Sequence, residues 1–515
     1  MPSVMGVDLG TSGVRAVVVD FETGHLLAAA TAEYPLLTPQ PQWAEQTPAD
    51  WWRGAQQAIS AALRAAGDGA NDLAALGLTG QMHGLVLLDW HDQVIRPAIL
   101  WCDQRTEHQC QAIHQRVGLA RLRQIAGNPA LAGFTAPKLL WVREHEPAAY
   151  ARTKHALLPK DYLRFLLSGE YATDVADASG TLLLDVHRRR WSGELLEALA
   201  IPEAWLPTVH EGPEVCARVS AAGAAATGLP EGLPIVAGGG DQAAGGVGAG
   251  IVRPGLASCT IGTSGVFFAA TERPQPDERG ALQAFCHSVP GLWHLMGVTQ
   301  AAGLSLRWLR DHASAAEGDE ARRTGSDAYE LLIRQAAQAA PGCEGLLFLP
   351  YLMGERAPHL DSEARGGWIG LAARHTRADL IRAVLEGVTY SLRDCLALFR
   401  EAGVPVSDVR ASGGGARSAF WRQLQADVFG LPVATLEISE GPAYGAALLA
   451  AVGAGLSPDV PAACDQTLRE GSRCCPDPQR HQVYAAYYQV YRALYPALRP
   501  SFARLAELAR AGSSG

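Results

Sequence analysis

Two stretches decide the fold: Met5-Gly6-Val7-Asp8-Leu9-Gly10-Thr11-Ser12-Gly13, which runs on into the apolar residues 14–19, and Ser258-Cys259-Thr260-Ile261-Gly262-Thr263-Ser264-Gly265, which runs on into residues 266–268. Each reads as a short strand, a Gly/Ser/Thr turn and a second strand, hence a hairpin. The tetrad Gly-Thr-Ser-Gly at 10–13 returns at 262–265, close to half the length of the 515-residue chain. Matched surroundings at half-length spacing point to two related lobes, each opening with the same hairpin.

Helical signals lie between the strand signals. Thr47-Pro48-Ala49-Asp50 offers an N-cap, a first-turn proline and an early acid, and Trp51, Ala55, Ile59 and Leu63 then share one face as far as Gly67. Thr376-Arg377-Ala378-Asp379 opens a second helix with a long apolar stripe that ends at Gly403, and Ser418 opens a third that ends at Gly430. Strands at 75–78, 234–237 and 409–411 precede Gly-rich turns. Alternation of this kind predicts α/β lobes. The junction is expected in the Gly-rich stretch 238–250, which divides the chain into 1–243 and 244–515, and the small polar tail 511–515 is expected to fray.

Composition narrows the function. A hydrophobic share of 48% with 18% charged residues is that of a folded chain. The net charge of −9 provides no basic field for a nucleic-acid backbone or an anionic membrane surface. Residues 1–20 interleave Asp8, Arg15 and Asp20 with apolar residues, unlike a secretory signal, and no apolar run reaches the ~18–20 residues of a membrane span. The ten cysteines include no C-x-x-C pair, so reduced thiols in the cytoplasm are expected and a structural zinc is not.

Three Gly-rich turns have the build of phosphate contacts: Asp8 to Gly13 with Gly10, Thr11 and Ser12; Gly262 to Gly265; and Gly413-Gly414-Gly415-Ala416-Arg417-Ser418 ahead of a helix. A backbone without Cβ atoms approaches phosphate closely, although most such turns are only turns. The three lysines follow Pro137, Thr153 and Pro159, so there is no P-loop Gly-Lys; the G-x-G-x-x-G fingerprint and the protein-kinase triplets are also missing. Asp241, flanked by Gly238-Gly239-Gly240 and by Gln242, has the setting of a general base at a strand end, with a turn cap as the plainer alternative. Asp8, before a phosphate-type turn, suits Mg²⁺ held through water or else a capping role. Gln81-Met82-His83 could line a sugar pocket or be satisfied core residues, and Asp103 and Arg105 could simply pair with each other.

Longer segments carry a family resemblance. Gly133-Phe134-Thr135-Ala136-Pro137-Lys138-Leu139-Leu140-Trp141 with Val142, Glu144 and His145, and Gly366-Gly367-Trp368-Ile369-Gly370-Leu371 continuing to Asp379, Leu380, Ala383 and Glu386, match both signatures of the FGGY carbohydrate kinases. Within that family the chain resembles the bacterial xylulokinases, through Gln81–Gly84, Arg96-Pro97-Ala98-Ile99-Leu100-Trp101, Leu158-Pro159-Lys160-Asp161-Tyr162-Leu163-Arg164 and Gly413–Ser418. The resemblance spans nearly the whole chain. It implies two ribonuclease H-like lobes of the actin/hexokinase type with a cleft between them, ATP and Mg²⁺ as co-substrates, and phosphorylation of D-xylulose at its 5-hydroxyl. It implies that the N-terminal lobe serves sugar and catalysis and the C-terminal lobe the nucleotide. It makes Asp241 the proton acceptor, Met82 and His83 sugar contacts with Gln81 and Gln242 beside them, and Asp8 the acid near metal and phosphate. Gly262, Thr263, Gly414 and Gly415 fall in its nucleotide turns. A homodimer, common in such families, is the expected assembly. Two departures bear on sugar preference: Gln242 stands where xylulokinases carry Asn, and Cys102 replaces an Asn. Another ketopentose, a polyol or a sugar acid therefore stays open as substrate, as does a non-catalytic ATP-binding module of the actin-like type.

Overall fold

Runs with apolar residues on both faces make the central strands, as expected where a sheet is covered on both sides. The computed structural model describes residues 2–438 and 440–512. The first hairpin is Ser3–Leu9 against Gly13–Asp20, antiparallel, with Asp8 opposite Arg15 and Leu9 opposite Val14. A parallel strand, Leu73–Gly80, lies on its other side and sets Thr79 beside Asp8. The second hairpin repeats this plan: Gly255–Ile261 pairs antiparallel with Gly265–Thr271 and parallel with Val406–Gly413, which sets Ser412 beside Thr260. The position held by Asp8 in the first hairpin is thus held by Thr260 in the second, where its hydroxyl meets that of Ser412 at 2.7 Å.

Two compact units result. The first comprises Met1–Arg253, Ala270–His294 and Ile438–Arg469, and the second Pro254–Ala269, Leu295–Glu437 and Glu470–Gly515. The first contains a six-stranded sheet in the order Val215–Arg218, Pro234–Gly240, Leu73–Gly80, Ser3–Leu9, Gly13–Asp20, Leu26–Glu33. Helix Pro48–Ala66 covers one face with Trp51, Ala55, Ile59 and Ala62 buried. Thr47 stands at its N-cap without a side-chain hydrogen bond, so Pro48 and the apolar face carry the start of this helix. Helix Gly441–Gly453 covers the other face so closely that a Cβ on Gly6 would lie 1.8 Å from Ala443 O.

The stretch 238–250, expected to join the lobes, instead completes a strand and forms helix Asp241–Gly248 inside the first unit. Gly248 in it serves close packing: at the contact with helix Gly441–Gly453, a Cβ on Gly248 would lie 2.4 Å from Gly441 O, just as one on Gly445 would lie 1.8 Å from Ala244 O. The compact units therefore differ from a single cut between 243 and 244, because chain from 270–294 and 438–469 returns to the first.

In the second unit, helix Arg377–Glu401 opens with the capping box Thr376/Asp379 and helix Ala419–Phe429 is capped by Ser418 and closed by left-handed Gly430. The last helix runs Pro478–Gly512, which takes in the first two residues of the tail expected to fray; 513–515 lie outside the described residues. No helix among the described residues is long and apolar enough to cross a membrane.

Candidate active site

The ends of two adjacent parallel strands of the first unit, Leu73–Gly80 and Pro234–Gly240, deliver Gln81, Met82, His83 and Asp241 to one place. Met82 is buried against glycines: a Cβ on Gly240 would lie 2.7 Å from its Cγ, and one on Gly180 3.1 Å from its Cε. His83 has a left-handed backbone, φ 66°. Its Nδ1 sits 2.7 Å from Gly180 O. A carbonyl only accepts, so that nitrogen carries a proton, and Nε2 of the neutral ring is an acceptor. Phe134 and Phe285 pack on the imidazole with centroids at 4.6 and 5.9 Å.

Asp241 opens helix Asp241–Gly248, and Gln242 Nε2 donates to its Oδ1 at 3.4 Å. Burial raises its pKa to about 6 against the pull of Gln242. Asp8 is raised further, to about 7, first by burial and then by the charge of Asp241, with Arg15 opposing. Asp8 Oδ1 is buried without a hydrogen-bond partner. Arg15, directly opposite in the hairpin, is itself held by Glu440, whose Oε2 accepts from Arg15 Nε at 2.6 Å. Two buried carboxylates with raised pKa values, Asp8 in part through the charge of Asp241, suit cation or proton chemistry.

The turn after Asp8 is pinned to the same strand ends. Thr11 Oγ1 donates to Gln81 Oε1 at 3.3 Å and accepts from Trp101 Nε1 at 2.9 Å, and Gln46 Nε2 donates to Thr11 O at 2.7 Å. Gln81, 1% exposed, also donates to Gln46 at 3.0 Å, so its amide is bonded within the protein. Gly10 N donates to Gly13 O, and Ser12 O accepts from Tyr34 N. Asp103 and Arg105 form the bidentate pair that their spacing suggests, with distances from 2.6 to 3.0 Å.

Beneath this site lies a wholly buried ionic cluster that residue spacing alone does not reveal. Lys160 Nζ reaches Asp161 and Asp174 at 2.6 Å and Asp177 at 3.3 Å. Arg164 reaches Asp161 at 2.8 Å and donates to Ala172 O at 2.6 Å and to Ala237 O, on the strand that leads to Asp241. Asp174 caps helix Val175–Ser179, which precedes Gly180. Three acids face two cations, and burial pushes Asp177 well above its ordinary pKa.

The second unit holds the other Gly-rich turns around a cavity of about 720 Å³, lined by Gly262, Thr263, Gly414 and Gly415, with Ile333 and Phe420 among the apolar walls. Helix Gly303–Ala313 abuts the first of these turns, with Gly303 N donating to Gly262 O at 2.9 Å and Leu304 N to Thr263 O at 3.1 Å. A Cβ at 303 would lie 2.3 Å from Gly262 O, and Gly413, with φ 73°, and Gly415 close over Ile261. Arg307, Arg334 and Arg417 also line the cavity. Asp327 and Glu330 share that lining; the size of the cavity and its arginines suit a nucleotide. The turns, Arg417 with them, are visible in the sequence; Gly303, Arg307 and Arg334 carry no local signal.

Comparison with known proteins gives the same architecture a family. Residues 3–248 match the N-terminal domain, and residues 257–454 the C-terminal domain, of the FGGY family of carbohydrate kinases. The chain is 41% identical over 502 residues to the xylulose kinase of Escherichia coli K12, covering 97% of this chain and 100% of that one. It is 40% identical over 496 residues to that of Bacillus subtilis 168, covering 96% and 97%. The crystal structure of xylulose kinase from Rhodospirillum rubrum superposes with a TM-score of 0.90 at 33% identity over 97% of this chain and 99% of that one. With both domain models matched in order and full-length relatives at this identity, the chain belongs to the FGGY family of carbohydrate kinases.

Proposed function

We propose that this carbohydrate kinase transfers the γ-phosphoryl group of ATP to the 5-hydroxyl of D-xylulose, giving D-xylulose 5-phosphate and ADP. The observation that carries it is the meeting of Asp241 with Met82 and His83 at two neighbouring strand ends, on a chain similar from end to end to xylulose kinases. Sugars need directional hydrogen bonds and an apolar wall. His83 Nε2 accepts from a sugar hydroxyl, and Met82 supplies the wall.

Asp241 is the general base. Its raised pKa, about 6, leaves it ionised at neutral pH yet more basic than an ordinary carboxylate. Gln242 on Oδ1 makes Oδ2 the oxygen that takes the proton. As the O5–H proton passes to Asp241, the O5–P bond forms, the bond from Pγ to the bridging oxygen breaks, and ADP leaves with that electron pair. The glycine turns at 262–263 and 414–415 bind the nucleotide in the second unit. Asp8, through water, fits a divalent cation, because its unpartnered buried Oδ1 and raised pKa are both relieved by positive charge. Mg²⁺ bound there neutralises phosphate charge. Among the described residues no group of three or more acidic, His or Cys side chains is set to hold a metal, in keeping with a Mg²⁺ bound mainly by water and phosphates. The enzyme works in the cytoplasm as a homodimer; its ten free thiols suit a reducing compartment.

Product analysis by ³¹P NMR tests the chemistry. One phosphomonoester coupled to the C5 protons of the ketose is expected, and a phosphate carried at another carbon contradicts it.

A further inference from the structure

His83 is gripped by one short segment. Its carbonyl oxygen, on a left-handed residue that a Cβ makes costly, accepts from Lys138 Nζ at 2.7 Å and from Thr135 Oγ1 at 3.1 Å. The same Nζ donates to Gly133 O at 2.7 Å, and Phe134 packs on the ring. Ala136 N donates to Thr181 O at 3.0 Å, next to the Gly180 carbonyl that takes Nδ1. The residues at 133–136 and 138 thus bear on His83 or its partner, through the backbone by the carbonyl clamp and through the side chain by Phe134 and Gly180.

Lys138 is 0% exposed. A buried amine is expensive, and this one directs two hydrogen bonds at main-chain carbonyls. Burial draws its pKa down to about 7, with Asp103 opposing; either form of the amine has hydrogens for both carbonyls.

We propose that Lys138 is a positioning residue for the sugar: with Thr135 it fixes the left-handed turn at His83 and hence the direction from which the imidazole meets the ketose. The inference rests on the sugar site described above. A filler of the core would lower stability when replaced, but its loss would not depend on whether His83 is present.

The test is a double-mutant cycle read in KM for D-xylulose, with KM for ATP, kcat and thermal midpoint on the same preparations. Lys138→Met should raise sugar KM roughly tenfold while ATP KM stays within about threefold, and in a His83→Ala background it should add nothing. Unchanged sugar KM in folded Lys138→Met, or a full additional rise in the double variant, overturns the clamp. If Lys138→Met does not fold, Thr135→Val with and without His83→Ala forms the same cycle, and the same two outcomes support or overturn the clamp. Should His83→Ala itself leave sugar KM unchanged, or the wild type ignore D-xylulose, the sugar site falls and the clamp with it. Loss of coupling with a normal His83→Ala effect removes the clamp alone.

Discussion

Asp241 is an acid whose neighbours are too small to hide it and whose burial still raises it to about 6. Asn at this position keeps the shape but accepts no proton at neutral pH. Asp241→Asn should cut kcat with D-xylulose by ~10²–10⁴ and leave sugar affinity, measured by calorimetry, nearly unchanged. An acid raised on folding contributes stability that is full below its unfolded value near 4 and lost as pH rises through about 6. The Asn variant should therefore melt higher than wild type at pH 8, with the gain fading toward pH 4. Asp8, raised to about 7 by burial and by Asp241, is brought down where a cation sits beside it. The acid limb of kcat/KM should accordingly lie near pH 6, set by Asp241, activity falling as pH drops, whereas an ordinary carboxylate would place it near pH 4. Asp8, Met82, His83 and Asp241 stand out in the sequence because each sits at or just past the end of a strand signal and close to glycines. Arg15's tie to Glu440 is not, since 425 residues separate them, and a long-range ion pair leaves no local pattern.

Among the elements, one repeated tetrad is enough to locate the two hairpins; a first-turn proline locates the helix start at Pro48, and local capping chemistry those after Thr376 and Ser418. The glycines at 238–250 mislead because a glycine that admits a neighbouring helix looks, in sequence, like one that bends the chain. Gly303 is a similar case: Gly303→Ala drives a methyl into Gly262 O. It should raise KM for ATP about tenfold, one lost contact's worth, and leave KM for the sugar unchanged; steady-state kinetics with each substrate varied decides. The buried cluster gives a sharper contrast. Lys160→Met strands three acids around Arg164 and should cost about 3–5 kcal/mol in urea unfolding. Asp177→Asn, which replaces an acid already pushed toward its neutral form, should cost less than about 1 kcal/mol. Equal losses would mean that Asp177 is an ordinary charged member of the cluster. Two of the chain's three lysines, Lys138 and Lys160, are wholly buried at the site, a signal present in the composition but silent without coordinates.

At the scale of the whole molecule, the chain repeats a hairpin and a parallel strand and then gives the two copies different work: an acid at position 8, and at the matching position 260 a hydroxyl bonded to Ser412. The repeat is visible as sequence. The return of 438–469 to the first unit is not, because helix Gly441–Gly453 is apolar all round and its pattern says that it is buried without saying where. Gln242 and Cys102, the two departures from the pattern of the family the chain resembles, make acceptor preference the property most open to test. A coupled ADP-release assay across ketopentoses, aldopentoses, polyols, sugar acids and glycerol measures it directly: D-xylulose is predicted to give the highest kcat/KM, and equal or faster turnover of glycerol or of any other acceptor would contradict the assignment.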